Sequence, residues 1–253
     1  MTDKQWTAFV EYREWLKGKC QEWVAFADEL YPLQKEASQK DTPEYPLETA
    51  VVYNKAYDDV QPQDEIKLIV IGDNPGKDEQ LTKNNRYLVG QSGKVADSFF
   101  RKNQSLNIDF RKNVIIMNKT PIHTAKTKHL NYLNKNGSKE IQNLISLTQI
   151  RMAQKAAELH QKLIEGKNEN QMVPELWLVG YSELKGKGVF QLYREELKKN
   201  YSPENWKNVF VYQHFAMNRF LVDLNEYMKK EDLHVKEALC EIGKKHRIEI
   251  FGS

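Results

Sequence analysis

The stretch Ile66-Lys67-Leu68-Ile69-Val70-Ile71-Gly72-Asp73-Asn74-Pro75-Gly76 decides the fold. An apolar, β-branched run stops at Gly72, and two polar side chains then enter a turn closed by Pro75 and Gly76. Continuous apolar strands of this kind belong to parallel sheets covered on both faces. The strand therefore delivers Asp73 and Asn74 to the lip of a sheet, where the loops of α/β domains carry their chemistry.

Working outward, three more segments read as strands: 113–118, bracketed by asparagines, 174–180, which also ends in glycine, and 208–213. Helices are expected between them at 94–102, capped by Ser92, at 141–164, and at 189–199, with 220–229 and 233–243 following the last strand. Upstream, Asp3 is a candidate cap for a helix bearing Trp6, Phe9, Leu16, Cys20, Trp23 and Leu30 on one face, stopped at Pro32. Segment 39–63 reads as a proline-rich loop with a short extended piece at 50–53. Segment 119–139 reads as a polar loop, and the polar C-terminal residues as frayed. Strand–helix alternation with right-handed crossovers predicts an α/β fold, a three-layer sandwich around a parallel sheet of about four strands. The expected organisation is a helical segment and loop at 1–60 packing on an α/β core at 61–229, then a C-terminal helix and tail at 230–253.

At 253 residues with 40% hydrophobic content the chain has ample material for a core. No apolar run approaches the ~18 residues of a membrane span, and residues 1–6 lack a signal-peptide pattern. Cys20 and Cys240 have no metal-ligand spacing, so a reduced cytoplasmic protein, expected to be a monomer, is the reading. A net charge of +3 permits a nucleic-acid partner without arguing for one. Lysine-dense segments at 126–139 and 185–199 are either backbone contacts for such a partner or solvated faces.

In a parallel sheet all strand C-termini share one edge, so Asp73, Asn74, Asn118, Gly180 and His214 should gather around one crevice. A carboxylate can orient water, a carboxamide can read donor and acceptor on a heterocycle, and a histidine can stabilise a departing anion. Those parts suit hydrolysis of a bond to a planar polar leaving group. The turn lacks the glycine-rich spacing and following Lys-Ser/Thr of a phosphate-binding loop, and no Gly-x-Ser-x-Gly elbow appears.

Gly72-Asp73-Asn74-Pro75-Gly76, then Asp78-Glu79, then Leu88-Val89-Gly90-Gln91-Ser92-Gly93-Lys94 resembles the first motif region of the uracil-DNA glycosylase superfamily. The likeness is greatest to its iron–sulfur-containing branch. The strand ending at Asn118 and the segment Tyr212-Gln213-His214 are similar to the base-reading and histidine motifs, and the order agrees over about residues 65–225. The resemblance implies a base-excision repair enzyme that flips a damaged base, uracil first, out of DNA and hydrolyses its N-glycosidic bond. It implies Asp73, Asn74 and His214 as catalytic residues, with Asp73 or Asn74 positioning the water and Asp73 the preferred of the two. Gly72, Tyr87, Leu88 and Asn118 would hold the base. Leu88 stands where that branch stacks a Phe, with Tyr87 beside it. Ser92, Lys119, Met217, Asn218 and Arg219 would contact DNA, with Met217 either a wedge in the duplex or, with Phe215, part of the core. The cysteines of the iron–sulfur branch are absent, so no cluster, metal or other cofactor is expected. A catalytically silent nucleic-acid-binding relative and a nucleoside hydrolase are the alternatives.

Overall fold

The computed structural model describes residues 1–252. Four strands, β1 (Leu68–Gly72), β2 (Val114–Asn118), β3 (Glu175–Val179) and β4 (Val209–Tyr212), form an all-parallel sheet in the order β2-β1-β3-β4. The helices are α1 (Asp3–Trp23), α2 (Ala27–Ser38), α3 (Gln91–Lys102), α4 (His129–Asn136) and α5 (Lys139–Glu165). After β3 come α6 (Tyr181–Leu184), α7 (Gln191–Lys199) and α8 (Pro203–Trp206), and after β4 come α9 (Arg219–Glu231) and α10 (Val235–Phe251).

Strand residues alternate between two cores, as a pleat of period two requires. Ile69, Ile71, Met117, Leu178 and Val211 pack beneath α1, α2, α4, α5 and α7. Leu68, Val70, Ile116, Trp177 and Tyr212 pack beneath α3, α9 and α10. Both faces of the sheet are covered, which is the three-layer arrangement that the unbroken apolar run of β1 requires.

Several local expectations change. Thr2, not Asp3, caps α1: its hydroxyl accepts from Gln5 N at 3.2 Å while Gln5 Oε1 accepts from Thr2 N at 3.0 Å. Pro32 ends nothing and lies inside α2, where it forfeits a single backbone bond. The break falls instead at residues 24–26, where the buried stripe of α1 runs out after Trp23. Gly90 occupies the cap position of α3, and Ser92 lies in the first turn. The expected polar loop at 119–139 starts as a buried segment, residues 119–124, and ends in α4, an asparagine-rich helix anchored by Leu130 and Leu133. The C-terminus is not frayed through residue 251, because α10 lies on β4 and buries Ile250. Among the described residues no helix is long and apolar enough to cross a membrane.

Candidate functional site

A crevice of about 500 Å³ opens at the C-terminal edge of the sheet. It lies between β1 and β3, where the chain, having run from β1 out to β2, crosses back to the far side of β1, the switch point at which open α/β sheets bind ligands. Gly72, Asp73, Asn74, Leu88, Ser92, Asn118, His214, Met217 and Arg219 all line it.

Asp73 is buried beside the first residue after β2. Its Oδ1 accepts from Lys119 Nζ at 2.6 Å and its Oδ2 from Thr127 Oγ1 at 3.2 Å. Lys119 has no exposed surface; its ammonium also donates to Val179 O at 2.7 Å and Gly72 O at 3.3 Å. All three ammonium protons are therefore spent inside the protein. This corrects the expectation that Lys119 contacts DNA, since a strand-end lysine stays dry only when a partner from another element neutralises it. Burial draws the Lys119 ammonium below its ordinary value, against the pull of Asp73.

Two strand-end glycines make room for these groups. A Cβ at Gly180, whose φ is +98°, would lie 2.4 Å from Asp73 Oδ1. A Cβ at Gly72 would lie 2.6 Å from Asn118 Oδ1. Asn118 is almost fully buried, and its Nδ2 has no hydrogen-bond partner. Orphaned buried amides are uncommon in native proteins and mark a place where a partner is expected.

Asn74 has a different role from Asp73. Its Nδ2 donates to Thr124 Oγ1 at 2.9 Å and lies near the carbonyls of Pro75, Ile122 and Thr124. That amide ties the β1 turn to the segment after β2. His123 braces the same joint, donating from Nδ1 to Pro75 O at 2.8 Å while Nε2 accepts from the Tyr45 hydroxyl at 2.9 Å. Burial lowers the His123 pKa to about 4, so the ring is neutral.

His214 follows β4. Its Nδ1 accepts from Ala216 N at 2.9 Å, which assigns the proton of the neutral ring to Nε2. Burial holds the imidazole below its ordinary value, with Asp73 opposing the shift. The ring is therefore a neutral donor. Beyond it, Phe215 is fully buried against Phe220, whereas Met217 is 74% exposed. The two residues thus part ways, Phe215 joining the core and Met217 standing at the crevice mouth. Met217 and Asn218 are both left-handed, at φ +54° and +56°, and Arg219 is exposed at the start of α9.

No family model, curated protein or solved structure matches this chain.

Tyr87 does not reach the crevice. It lies in the core, its hydroxyl donating to Val52 O at 2.7 Å, because Leu88 beside it takes a left-handed turn. Leu88 has φ +50°, an uncommon conformation for a bulky residue. It is fastened there by its N–H to Glu79 Oε1 at 2.9 Å and by Arg111 Nη2 on its carbonyl at 2.8 Å. Gly93 is required beneath it, since a Cβ there would stand 1.6 Å from Leu88 O.

Glu79 and Glu183 also line the crevice; Glu79 stands within the motif region, where no role was expected of it, and Glu183 was not named from the sequence. Burial raises the Glu79 pKa to about 7, against the backbone donors Gly76 N and Leu88 N. Burial and the nearby Asp73 charge raise that of Glu183. Glu183 has no sequence signal that separates it from solvated acids, and for Glu79 the only signal is its place in that motif. Cys20 is buried in one core and Cys240 is half-buried against the other, on opposite faces of the sheet, and burial pushes the Cys20 thiol up to about 12. Among the described residues no cluster of three His, Cys, Asp or Glu side chains is placed to hold a metal ion.

Proposed function

We propose that this protein is a monofunctional DNA N-glycosylase, with uracil first among the bases it would release. The observation that carries this reading is the convergence on one crevice of a carboxylate ion-paired to a buried lysine, a buried carboxamide with an unpaired N–H, and a neutral histidine presenting Nε2–H. In the proposed reaction the C1′–N bond of a flipped nucleotide breaks, and its electron pair leaves on the base. His214 donates to that developing anion, and Asn118 holds the base edge. Asp73 orients a water whose oxygen bonds to C1′. The water's proton ends on the departing base, leaving free base and an abasic deoxyribose. We assign the water-orienting role to Asp73, the carboxylate of the pair; Asn74 Nδ2 is tied to residues 122–124, which leaves that side chain a bracing role. Asp73 is ion-paired to Lys119 through Oδ1, which fixes the direction in which its remaining lone pairs can meet a water. With every Lys119 proton already engaged, the lysine is not available as a strand-cleaving nucleophile.

Entry of the base costs a few kcal/mol of unstacking, least for mismatched or single-stranded sites. Exposed Met217 and Arg219 at the mouth are suited to fill the vacated stack and meet a phosphate. Release of free uracil from single- and double-stranded oligomers tests the reading. Asp73→Ala and His214→Ala should each slow release by ~10²–10³-fold. No release from uracil, hypoxanthine or xanthine substrates at any salt concentration would overturn it.

One observation favours a second reading, a nucleic-acid-binding relative without catalysis: both Asp73 oxygens already accept hydrogen bonds. Salt-sensitive DNA binding without base release, unchanged by Asp73→Asn, would select that reading.

A further inference from the structure

Glu79 is the crevice carboxyl that the proposed reaction leaves unused. It is 8% exposed and, unlike Asp73, has no cation at hydrogen-bond distance among the described residues. Its two oxygens accept from backbone instead, Oε2 from Gly76 N at 3.2 Å and Oε1 from Leu88 N at 2.9 Å. It thereby joins the turn after β1 to the strained residue that forms the facing wall. The other charged or titratable groups facing it are Asp78 beside it in the chain, Tyr87 from the core and Arg111 from the turn before β2.

The remaining neighbour is Asn118. Its amide lies close enough to Glu79 to favour the charged carboxylate, yet its Nδ2 is buried and makes no hydrogen bond of good geometry. The Asn118 Oδ1 lies on the other side, over Gly72, whose missing side chain leaves that oxygen room. A carboxamide has one donor end and one acceptor end, and a half-turn about its last bond exchanges them. Which end faces a ligand depends on what the opposite end faces. A carboxylate accepts only and holds the NH₂ end. A protonated carboxyl has an O–H and can hold the oxygen end instead.

We propose that Glu79 is a positioning residue that sets which end of the Asn118 amide the crevice offers to a base. With Glu79 ionised, Nδ2 turns to the carboxylate and Oδ1 is offered, which selects a base with a ring N–H at that edge. With Glu79 protonated, its O–H donates to Oδ1 of the turned amide, and Nδ2 is offered to a ring nitrogen acceptor. Uracil and cytosine differ at this point, N3–H in one and bare N3 in the other. The proton on Glu79 thus biases the site between two base classes, and its pKa of about 7 puts the change within reach of ordinary buffers. The inference rests on the reading of the crevice as a nucleobase site, but it does not require catalysis.

Calorimetric titration of the full-length protein with free uracil and free cytosine, from pH 5.5 to 8.5, tests it. The uracil-to-cytosine affinity ratio should fall about tenfold as pH drops across this range, the equivalent of one hydrogen bond made or lost. Glu79→Gln, which cannot titrate, should show a ratio that no longer changes with pH. A merely structural role for Glu79 would weaken both bases together and leave the ratio unmoved, and that result overturns the proposal. Should Glu79→Gln not fold, the Asn118 side-chain amide signals of the wild type, followed by ¹⁵N NMR, should titrate near pH 7; a flat response overturns it equally. Base selectivity that follows Glu79 without any release from oligomers leaves the inference standing and removes the glycosylase reading. Base release with a pH-independent ratio does the reverse, and failure of both bases to bind removes the inference.

Discussion

The two walls of the crevice are built on opposite plans. On the β1–β2 side, Asp73, Lys119, Asn74, His123 and Glu79 are interlocked by buried hydrogen bonds and one ion pair. On the β4–α9 side, the chain from Gln213 to Arg219 exposes Met217 and passes through two successive left-handed residues, anchored by Phe215 in the core and by the His214–Ala216 contact. The difference teaches a division of labour: one wall fixes charge and hydrogen-bond direction, and the other can adapt to what enters. Buried polar groups hold position well only when all their partners are present, so the first wall should break sharply and the second hardly at all.

The largest effect is expected from dividing the buried pair. Lys119→Met strands the Asp73 charge, and Asp73→Ala strands the lysine; each should cost about 3–5 kcal/mol of unfolding free energy, read by urea denaturation. Replacing both residues with apolar ones should recover much of that loss, a double-mutant cycle that separates the pair from its burial.

Next comes pH. The folded His123 pKa, near 4, lies below its ordinary value of 6.5, so the native state binds fewer protons than the unfolded chain between those values. Stability from His123 is therefore lost as pH falls from 6.5 toward 4, by roughly 3 kcal/mol at the limit. Glu79 runs the other way. Its folded pKa of about 7 exceeds the ordinary 4.5, so its contribution is full below pH 4.5 and is lost as pH rises to 7. Urea midpoints at pH 4, 5.5 and 7.5 for wild type, His123→Gln and Glu79→Gln should show slopes displaced in opposite directions.

Gly180→Ala should cost about 1–3 kcal/mol, from a left-handed φ and a methyl group pushed against Asp73 Oδ1. Thermal melts would register it, and an unchanged melting temperature would mean that the first wall yields more than its bonding suggests. The smallest stability effect belongs to the second wall: Met217→Ala should stay within about 0.5 kcal/mol. Its consequence should appear instead as weaker binding to duplex than to single-stranded DNA.

The same contrast governs what could be read from the sequence. Four apolar runs specify four buried strands, and a parallel sheet then gathers their C-terminal ends. Asp73, Asn118 and His214 were legible for that reason. Lys119 was not, because an ammonium one residue past a strand is ordinarily solvated, and its burial depends on Asp73 and Val179 from two other elements. Leu88 lines the crevice as expected, whereas Tyr87, expected beside it, is turned into the core by a single left-handed residue that no local pattern announces. Glu79 stands in the motif region, but its burial was not legible, because it depends on the packing around residues 76 and 88. Pro32 misled in the opposite sense: a helix terminator by local rule, it sits inside a helix whose start was set by the end of a buried stripe.

The position of β1 has a consequence for the order of assembly. It pairs with β2 on one side, Leu68 opposite Val114, and with β3 on the other, Leu68 opposite Glu175. Contacts that span such long loops form late and slowly. Until β3 docks, Lys119 lacks the Val179 carbonyl, and the gap that Gly180 leaves for Asp73 does not exist. The charged centre of the crevice is thus complete only once β3 has joined the sheet. On the ribosome, the first half of the chain must carry Lys119 as an ordinary wet lysine until the third strand arrives.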